Sequence, residues 1–176
     1  MIIFFGKGKF DSDTLIKDCL RRYAVLLQDL RLQNDATLTQ KEVDSAVIAR
    51  EGKPHFEHLD LRFSLSHSHG AFLLAFSANE VGVDLELVRN IEHNRFVRLI
   101  DCDSTEEFFK KWTTYEALGK YKGLGAHIIL GGKEKLENEI RHFLDLGGVF
   151  TSIPAFCGYV ATVASLPQEI VLIKYD

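Results

Sequence analysis

The chain has 176 residues, of which 46% are hydrophobic and 26% charged, and a formal net charge of −4. This composition indicates a globular protein and excludes extensive disorder, and the length allows one ordinary domain or two small lobes. The acidic balance argues against nucleic acid as a partner, because nucleic-acid binding usually needs a basic excess. No apolar run reaches about 18 residues, so no membrane span is expected.

The N-terminal segment MIIFFGKGKF has an apolar tetrad without a preceding basic region, which indicates an early strand rather than a signal peptide. The three cysteines, at positions 19, 102 and 157, are widely spaced and odd in number. They fit neither a disulfide framework nor a paired metal motif. A reducing, cytoplasmic environment is therefore expected.

The first half of the chain begins with helical patterns. Apolar residues at three- and four-residue steps predict a long helix over residues 12–33, with Ser12 or Asp13 as its N-cap. A shorter helix is predicted over residues 41–50, followed by the turn GKP at 52–54. Three strands are then predicted, over residues 61–67, 71–77 and 81–87.

The second half repeats this order of elements. A long helix is predicted over residues 105–122, with Ser104 and Glu107 as a capping box and Gly123 as its end. Strands are predicted over residues 126–130, 149–153, 159–164 and 170–174. A long helix followed by antiparallel-type strands in each half indicates an α+β fold, with any break between lobes near residues 77–80.

Two carboxylates lie a strand step apart in the segment GVDLE, residues 82–86. Alternate residues of a strand share a face, so Asp84 and Glu86 project together while Val83 and Leu85 face the other way. Such a pair suits a hard cation such as Mg²⁺, which prefers oxygen ligands. An isolated pair of this kind is more often the solvated face of an amphipathic strand, so this segment alone does not decide.

The predicted helix over residues 105–122 carries Glu116 inside its aromatic stripe, between Phe109 and Trp112, with Lys120 one turn further along the same side. A carboxylate on an apolar face is costly unless a partner compensates its charge. That partner is either a metal ion or Lys120 itself, in an ordinary ion pair.

The segment SLSHSHG, residues 64–70, alternates serines with a leucine and two histidines. In a strand the serines share one side, and His67 and His69 share the other. A histidine pair can bind zinc or, when protonated, a phosphate. The more common alternative is a polar turn whose hydroxyls satisfy backbone groups.

Four segments stand in the order GKPHF, FSLSHSHG, VGVDLE and FFKKWTTYEALGKYKG. In this order they resemble the 4′-phosphopantetheinyl transferases, and the surfactin-synthetase-activating type more than the short trimeric holo-acyl-carrier synthases. That family shows a GKP turn, an F-N-x-S-H-S strand, a G-V/I-D-x-E strand and a W-S/T-x-K-E-A/S-x-x-K helix. The resemblance covers about residues 50–125, and GYVA at 158–161 is similar to the family's closing strand.

The resemblance implies a magnesium-dependent active site. Asp84 and Glu86 would bind Mg²⁺, and Glu116 would complete the metal site and act as the general base. Lys120 would contact the phosphates and protonate the leaving group. These residue types suit the chemistry, because a carrier serine is a poor nucleophile until a positioned base takes its proton.

The resemblance also implies a coenzyme A site. Lys53 would hold the nucleotide end, Ser66 and His67 would lie at the site with His67 near the 3′-phosphate, and Lys120 would reach the phosphates. Coenzyme A would be the co-substrate and an apo acyl or peptidyl carrier protein the acceptor. The phosphopantetheine arm would move to a carrier serine, releasing adenosine 3′,5′-bisphosphate.

The fold that the resemblance implies is a pseudo-dimer of two similar α+β lobes, each a long helix packed on a small antiparallel sheet. Residues 1–77 would form the N-terminal lobe, on the coenzyme A side, and residues 78–176 the C-terminal lobe with the metal site. The active site would lie in the cleft between the lobes. A pseudo-dimer of this kind works as a monomer.

Two residues depart from the family pattern. Tyr115 stands directly before the helix glutamate, where the family usually has lysine, and this removes a positive charge near the phosphates. Ser64 replaces the common asparagine, and the chain is short for this type. Four other basic residues are candidates to compensate: Lys7, Lys9, Arg50 and Arg89.

The same residues leave two alternatives. Tyr115 and the short chain are compatible with a non-catalytic relative that binds coenzyme A or carrier proteins without turnover. The set of His67, His69, Asp84 and Glu86 is a plausible zinc site, which favours a metal-dependent hydrolase. The hydrolase leaves the GKP turn and the tryptophan-bearing helix unexplained.

Overall fold

The structure is a computed structural model that describes residues 1–29, 38–90, 100–154 and 156–176. These residues form a mixed α+β fold, which confirms the predicted class. The strands are β1 (Ile2–Lys7), β2 (Ile48–Ala49), β3 (His55–Phe56), β4 (Arg62–Ser68), β5 (Ala71–Ser77), β6 (Val81–Leu87), β7 (Val149–Ser152), β8 (Tyr159–Ser165) and β9 (Val171–Lys174). The helices are α1 (Ser12–Asp29), α2 (Gln40–Asp44), α3 (Thr105–Lys122), α4 (His127–Leu130) and α5 (Lys133–Asp145). None of these five helices has both the length and the apolar character needed to cross a membrane.

The strands of the described residues form three sheets. The first has four strands in the order β4-β5-β1-β9, the second has three in the order β6-β8-β7, and β2 pairs with β3 alone. The pairings are antiparallel except that of β1 with β9, which is parallel. Strand β9 follows all three strands of the second sheet in the sequence but pairs in the first sheet, so the chain returns to its first sheet near its end.

The two larger sheets pack against each other, and each carries a long helix. One face of the first sheet packs against α1, where Phe4 and Phe76 lie in one buried cluster with Leu20. Its other face meets the second sheet, where Leu73 and Val83 share a second buried cluster. The second sheet contacts α3 through β6 and β8. Burial of each such side chain stabilises the fold by about 1.5–3 kcal/mol, so these layers fix the position of β6 between the first sheet and α3.

The two long predicted helices are present, with differences at their caps. The amide of Thr14 donates to Asp11 Oδ2 at 2.9 Å, so Asp11 caps α1 and the prediction of Ser12 or Asp13 is wrong. Residues 30–33 of that predicted helix lie outside the described residues. At α3 the Ser104 hydroxyl accepts the Glu107 amide at 3.1 Å, as predicted. The Glu107 carboxylate accepts a hydrogen bond from the amide of Asp103, the residue before Ser104, and not from the amide of Ser104 itself.

Two short elements differ from their predictions. The helix predicted over residues 41–50 is wrong beyond Asp44, because Ser45 caps α2 and residues 48–49 instead form β2. The strand predicted over residues 126–130 is helix α4. A short apolar run between glycines does not distinguish a strand from a buried helical turn, and contacts with α3 and α5 decide the outcome here.

Candidate functional site

Strand β6 carries the two predicted metal-binding acids on the face toward α3. Its alternate residues Val83 and Leu85 are fully buried between the sheets, so Asp84 and Glu86 point the other way, as the alternation predicted. Asp84 is almost fully buried, with 5% of its surface exposed. A buried carboxylate needs compensation, and its neighbours therefore define the site.

Gly82 lets β6 lie directly against α3. A Cβ atom at this position would lie 1.9 Å from the carbonyl oxygen of Ala117 and 2.4 Å from the amide nitrogen of Tyr121, both backbone atoms of the helix. No side chain fits in such a gap, so the glycine is required by the close approach. The contact sets the distance between the acids of β6 and the side chains of α3.

Asp84 receives two hydrogen bonds on the same oxygen. Ser66 Oγ donates to Asp84 Oδ1 at 2.8 Å, and Lys120 Nζ donates to the same Oδ1 at 2.8 Å. The other oxygen, Oδ2, is buried and has no hydrogen-bond partner among the described residues. An unsatisfied buried acceptor costs about 1–3 kcal/mol, so Oδ2 is an open position for a cation or a donor.

Glu86 is held in a similar way but nearer to solvent. Ser68 Oγ donates to Glu86 Oε2 at 2.7 Å, and Arg89 Nη1 donates to the same oxygen at 3.2 Å. Each strand acid is thus bound by one serine of β4 and by one basic side chain.

Glu116 lies half-buried on α3 and is coupled electrostatically to both strand acids. Burial raises the pKa of its carboxyl, the Asp84 carboxylate raises it further, Lys120 opposes the shift, and Glu86 adds to the rise. The charges of both strand acids therefore act on the Glu116 carboxyl. The described residues nevertheless contain no group of three or more His, Cys, Asp or Glu side chains arranged to hold a metal, and the magnesium assignment stays a prediction.

A cavity of about 460 Å³ adjoins this acidic cluster. It lies between α1, the turn at residues 50–54, β4 and the end of α3. Its basic lining residues are Arg50, Lys53, His67 and Lys120, and no described residue that lines it is a carboxylate. Arg50, Lys53 and Lys120 reach the cavity while their carboxylate partners lie outside its lining, which favours an anionic ligand. Lys120 connects the cavity to Asp84.

Two of the predicted coenzyme A residues line this cavity together with Lys120. The exposed His67 lies beside the ring of Phe10, at 5.9 Å between ring centroids. Lys53 Nζ donates to Glu80 Oε2 at 2.6 Å and to the carbonyl of Val81 at 2.7 Å. Burial lowers the pKa of the Lys53 ammonium, and the hydrogen bond that Lys53 donates to Glu80 opposes that shift. Ser66, in contrast, is not among the lining residues and points to Asp84.

Tyr115 and the basic residues that were candidates to compensate for it lie in different surroundings. Tyr115 packs in the apolar clusters around α3 and does not line the cavity, and burial raises the pKa of its hydroxyl. Of the four candidate basic residues, Arg50 lines the cavity and pairs with Asp13. Lys7 instead lies over the rings of Phe156 and Tyr159, at 4.9 and 5.2 Å from their centroids.

The sequence interpretation missed what the serines of β4 do. It placed Ser64, Ser66 and Ser68 on one face, which is confirmed, but it gave the segment a polar turn as the common alternative. The hydroxyls do satisfy backbone amides, across to another sheet rather than within a turn. The placement of a serine at every second residue was the sequence signal that could have indicated these contacts.

Comparison with known proteins shows a sequence relationship. No protein-family model matches the chain. The chain is similar to the 4′-phosphopantetheinyl transferase gsp of Aneurinibacillus migulanus, with 29% identity over 121 residues. The matched region covers 62% of this chain and 47% of that protein, so the chain spans about half the length of this curated relative.

Proposed function

We propose that the chain is a 4′-phosphopantetheinyl transferase of the surfactin-synthetase-activating type, which moves the phosphopantetheine arm of coenzyme A to a serine of an apo carrier protein. The observation that carries the proposal is the cationic cavity next to the acids of β6 and α3, with Lys120 shared by both. Pyrophosphate chemistry needs both features, because the substrate is highly charged and its nucleophile must lose a proton. The similarity to gsp supports the same assignment.

In this proposal the cavity takes the nucleotide end of coenzyme A. Its volume of about 460 Å³ lies within the usual range of small-molecule sites. Arg50, Lys53, His67 and Lys120 would pair with the phosphates, with His67 near the 3′-phosphate. Lys53 and Arg50 now pair with Glu80 and Asp13, so phosphate binding would compete with these ion pairs.

The donor set fits Mg²⁺. Asp84 Oδ2 is buried and has no hydrogen-bond partner in the part of the chain that the structure describes, and the charges of Asp84 and Glu86 act on the Glu116 carboxyl. Carboxylate oxygens are the ligands this ion prefers. Asp84, Glu86 and Glu116 would hold the ion, while Lys120 and Arg89, which now pair with the strand acids, would be freed toward the phosphates. When bound, Mg²⁺ would neutralise pyrophosphate charge and orient the phosphoryl group.

The reaction uses Glu116 as base and Lys120 as acid. Glu116 takes the proton of the carrier serine, whose Oγ forms a bond to the β-phosphorus of coenzyme A. The bond from this phosphorus to the oxygen of adenosine 3′,5′-bisphosphate breaks, and Lys120 protonates or neutralises the departing phosphate. In the metal-free protein, burial and the Asp84 carboxylate raise the pKa of the Glu116 carboxyl. A bound Mg²⁺ would oppose that shift and favour the ionised form, which is the form that can take the serine proton.

The division into lobes, the oligomeric state and the cellular location belong to the same proposal. The two packed sheets, each with a long helix, would be the two lobes of a pseudo-dimer divided near residue 77, with β9 returning from the second half of the chain to the first sheet. Such a molecule would need no second copy to complete its site, and we propose that it acts as a monomer in the cytoplasm.

The proposal is tested by incubating the protein with coenzyme A, Mg²⁺ and a set of apo acyl and peptidyl carrier proteins. We expect one or more carriers to gain the mass of the phosphopantetheine arm, and the gain to disappear with Glu116→Ala. Binding of coenzyme A by a folded protein that modifies no carrier would contradict the transferase and favour the non-catalytic relative. Modification that persists in Glu116→Ala would contradict the role of the base.

A further inference from the structure

Besides packing through their apolar faces, the two large sheets meet along one edge of each, without a backbone ladder. Strand β4 is an edge of the first sheet, and β6 is an edge of the second. Three serine hydroxyls of β4 serve as the acceptors for β6 amides: Ser64 for Val83 at 3.0 Å, Ser66 for Leu85 at 3.2 Å and Ser68 for Leu87 at 3.3 Å. These contacts satisfy buried amides that would otherwise be costly.

Two of the three serines make a second contact. Ser66 donates to Asp84 at 2.8 Å and Ser68 donates to Glu86 at 2.7 Å. The described residues give Ser64 no carboxylate partner. A hydroxyl has a single proton to donate, so the proton of Ser66 is committed to Asp84. Ser68 Oγ lies closer to Glu86 Oε2, at 2.7 Å, than to its other side-chain neighbour, His69 Nδ1, at 3.0 Å.

We propose that Ser66 and Ser68 are positioning residues, which fix the carboxylates of Asp84 and Glu86 while they join the edges of the two sheets. For Asp84 the consequence is specific. Ser66 and Lys120 both hold Oδ1, and this orientation leaves Oδ2 as the open oxygen. The inference rests on the proposed function for its effect on catalysis, and it differs from the coenzyme A contact that the family resemblance implies for Ser66.

The charge-assisted contact is tested first without coenzyme A, metal or carrier. Ser66→Ala and Asp84→Ala are combined in a double-mutant cycle measured by urea unfolding. We expect the two changes to be coupled by about tenfold in the unfolding equilibrium constant, because a hydrogen bond to a buried charge is removed. The matched control is Ser64→Ala with Asp84→Ala, which share no contact and are expected to combine within about twofold.

Amide hydrogen exchange of the same proteins tests the join between the sheets. Ser66→Ala is expected to accelerate exchange at Leu85 by about five- to tenfold, since one hydrogen bond is lost. Ser64→Ala is expected to accelerate amide exchange at Val83 and not at Leu85. If Ser66→Ala does not fold, Ser66→Thr, which keeps the hydroxyl, is compared with the nearly isosteric Ser66→Val.

The outcomes separate this inference from the proposed function. In the active enzyme Ser66→Ala should raise the half-saturating Mg²⁺ concentration by about tenfold or more, with the KM for coenzyme A unchanged. A raised KM for coenzyme A with an unchanged Mg²⁺ requirement, or an additive cycle with Asp84, would overturn the positioning role. If the unaltered protein modifies no carrier, the proposed function fails, while the unfolding cycle and the exchange data still decide the role of Ser66.

Discussion

Lys120 on α3 and Asp84 on β6 form a close ion pair, with Nζ and Oδ1 2.8 Å apart. The pair is nearly enclosed on the acid's side, where 7% of the Asp84 side chain is exposed, against 26% for the lysine. The ammonium therefore neutralises a charge that the core could not otherwise hold. Lys120 also lines the cationic cavity, so one side chain serves both stability and ligand binding.

Replacement of this lysine should affect both properties. We expect Lys120→Met to lower the free energy of unfolding by about 2 kcal/mol, because a buried carboxylate loses its counter-charge. Transfer to a carrier protein should fall by about a hundredfold or more, as for loss of a charge that stabilises a transition state. Urea unfolding and a mass-based transfer assay measure the two effects.

The matched control is Lys110→Met on the same helix. Lys110 pairs with Glu106 at the surface, and both side chains are more than half exposed. Such pairs contribute about 0.5 kcal/mol or less. Equal destabilisation by the two substitutions would contradict the structural importance of the Lys120 pair.

Glu116→Gln should stabilise the protein and abolish transfer. Because the pKa of this carboxyl is raised in the folded state, the folded protein keeps the proton to a higher pH than the unfolded chain does. The substitution should therefore change little below about pH 4.5 and stabilise increasingly as the pH rises toward neutral. We expect Tm at pH 7 to rise by about 2–4 °C.

Glu106→Gln is the control with the opposite sign. The hydrogen bond and charge of Lys110 lower the pKa of Glu106, so its ionised form is favoured by folding. Its substitution should leave Tm unchanged or lower it by about 1 °C, since the group is exposed. A fall in Tm for Glu116→Gln at pH 7 would show that the charge of Glu116 stabilises the fold.

Gly82→Ala should separate β6 from α3. The added Cβ would meet two backbone atoms of the helix, which cannot move aside as a flexible side chain can. We expect a loss of about 3 kcal/mol or more of stability, and lower transfer activity in the protein that still folds. Gly131→Ala is the control, because its Cβ would meet mainly the flexible end of Lys135, and a change within about 0.5 kcal/mol is expected.

His67→Ala should weaken coenzyme A binding through the 3′-phosphate. Loss of one charge-assisted contact predicts about a tenfold rise in Kd for coenzyme A by calorimetry, with Kd for dephospho-coenzyme A unchanged. His58→Ala is the control, because its side chain is 80% exposed and does not line the cavity. Equal weakening for both ligands would place His67 elsewhere along coenzyme A.

Much of the fold could be predicted because its long elements carry a clear period. The spacing of apolar residues in α1 and α3, and the alternation in β6, gave elements of the right type and nearly the right bounds. Helix α5 was not predicted, although Leu136 and Phe143, one apolar stripe at seven residues' spacing, are both buried. The many charged residues of that segment concealed its single apolar stripe.

Only part of the site could be predicted from the sequence. Alternation on β6 places Asp84 beside Glu86 on one face, and helical spacing places Lys120 one turn from Glu116. The approach of α3 to β6 at Gly82, and the serine contacts between sheet edges, depend on which elements pack together. Contacts of that kind are tertiary, and no local pattern specifies them.

The parallel pairing of β9 with β1 has a consequence for how the protein is made. Ile2 lies opposite Val171 and Phe5 opposite Lys174, so two strands separated by most of the sequence pair with each other. During translation the outer edge of β1 therefore stays open until β9 has left the ribosome. An open apolar edge is a template for aggregation, so we expect nascent chains stalled before residue 171 to depend most on chaperones.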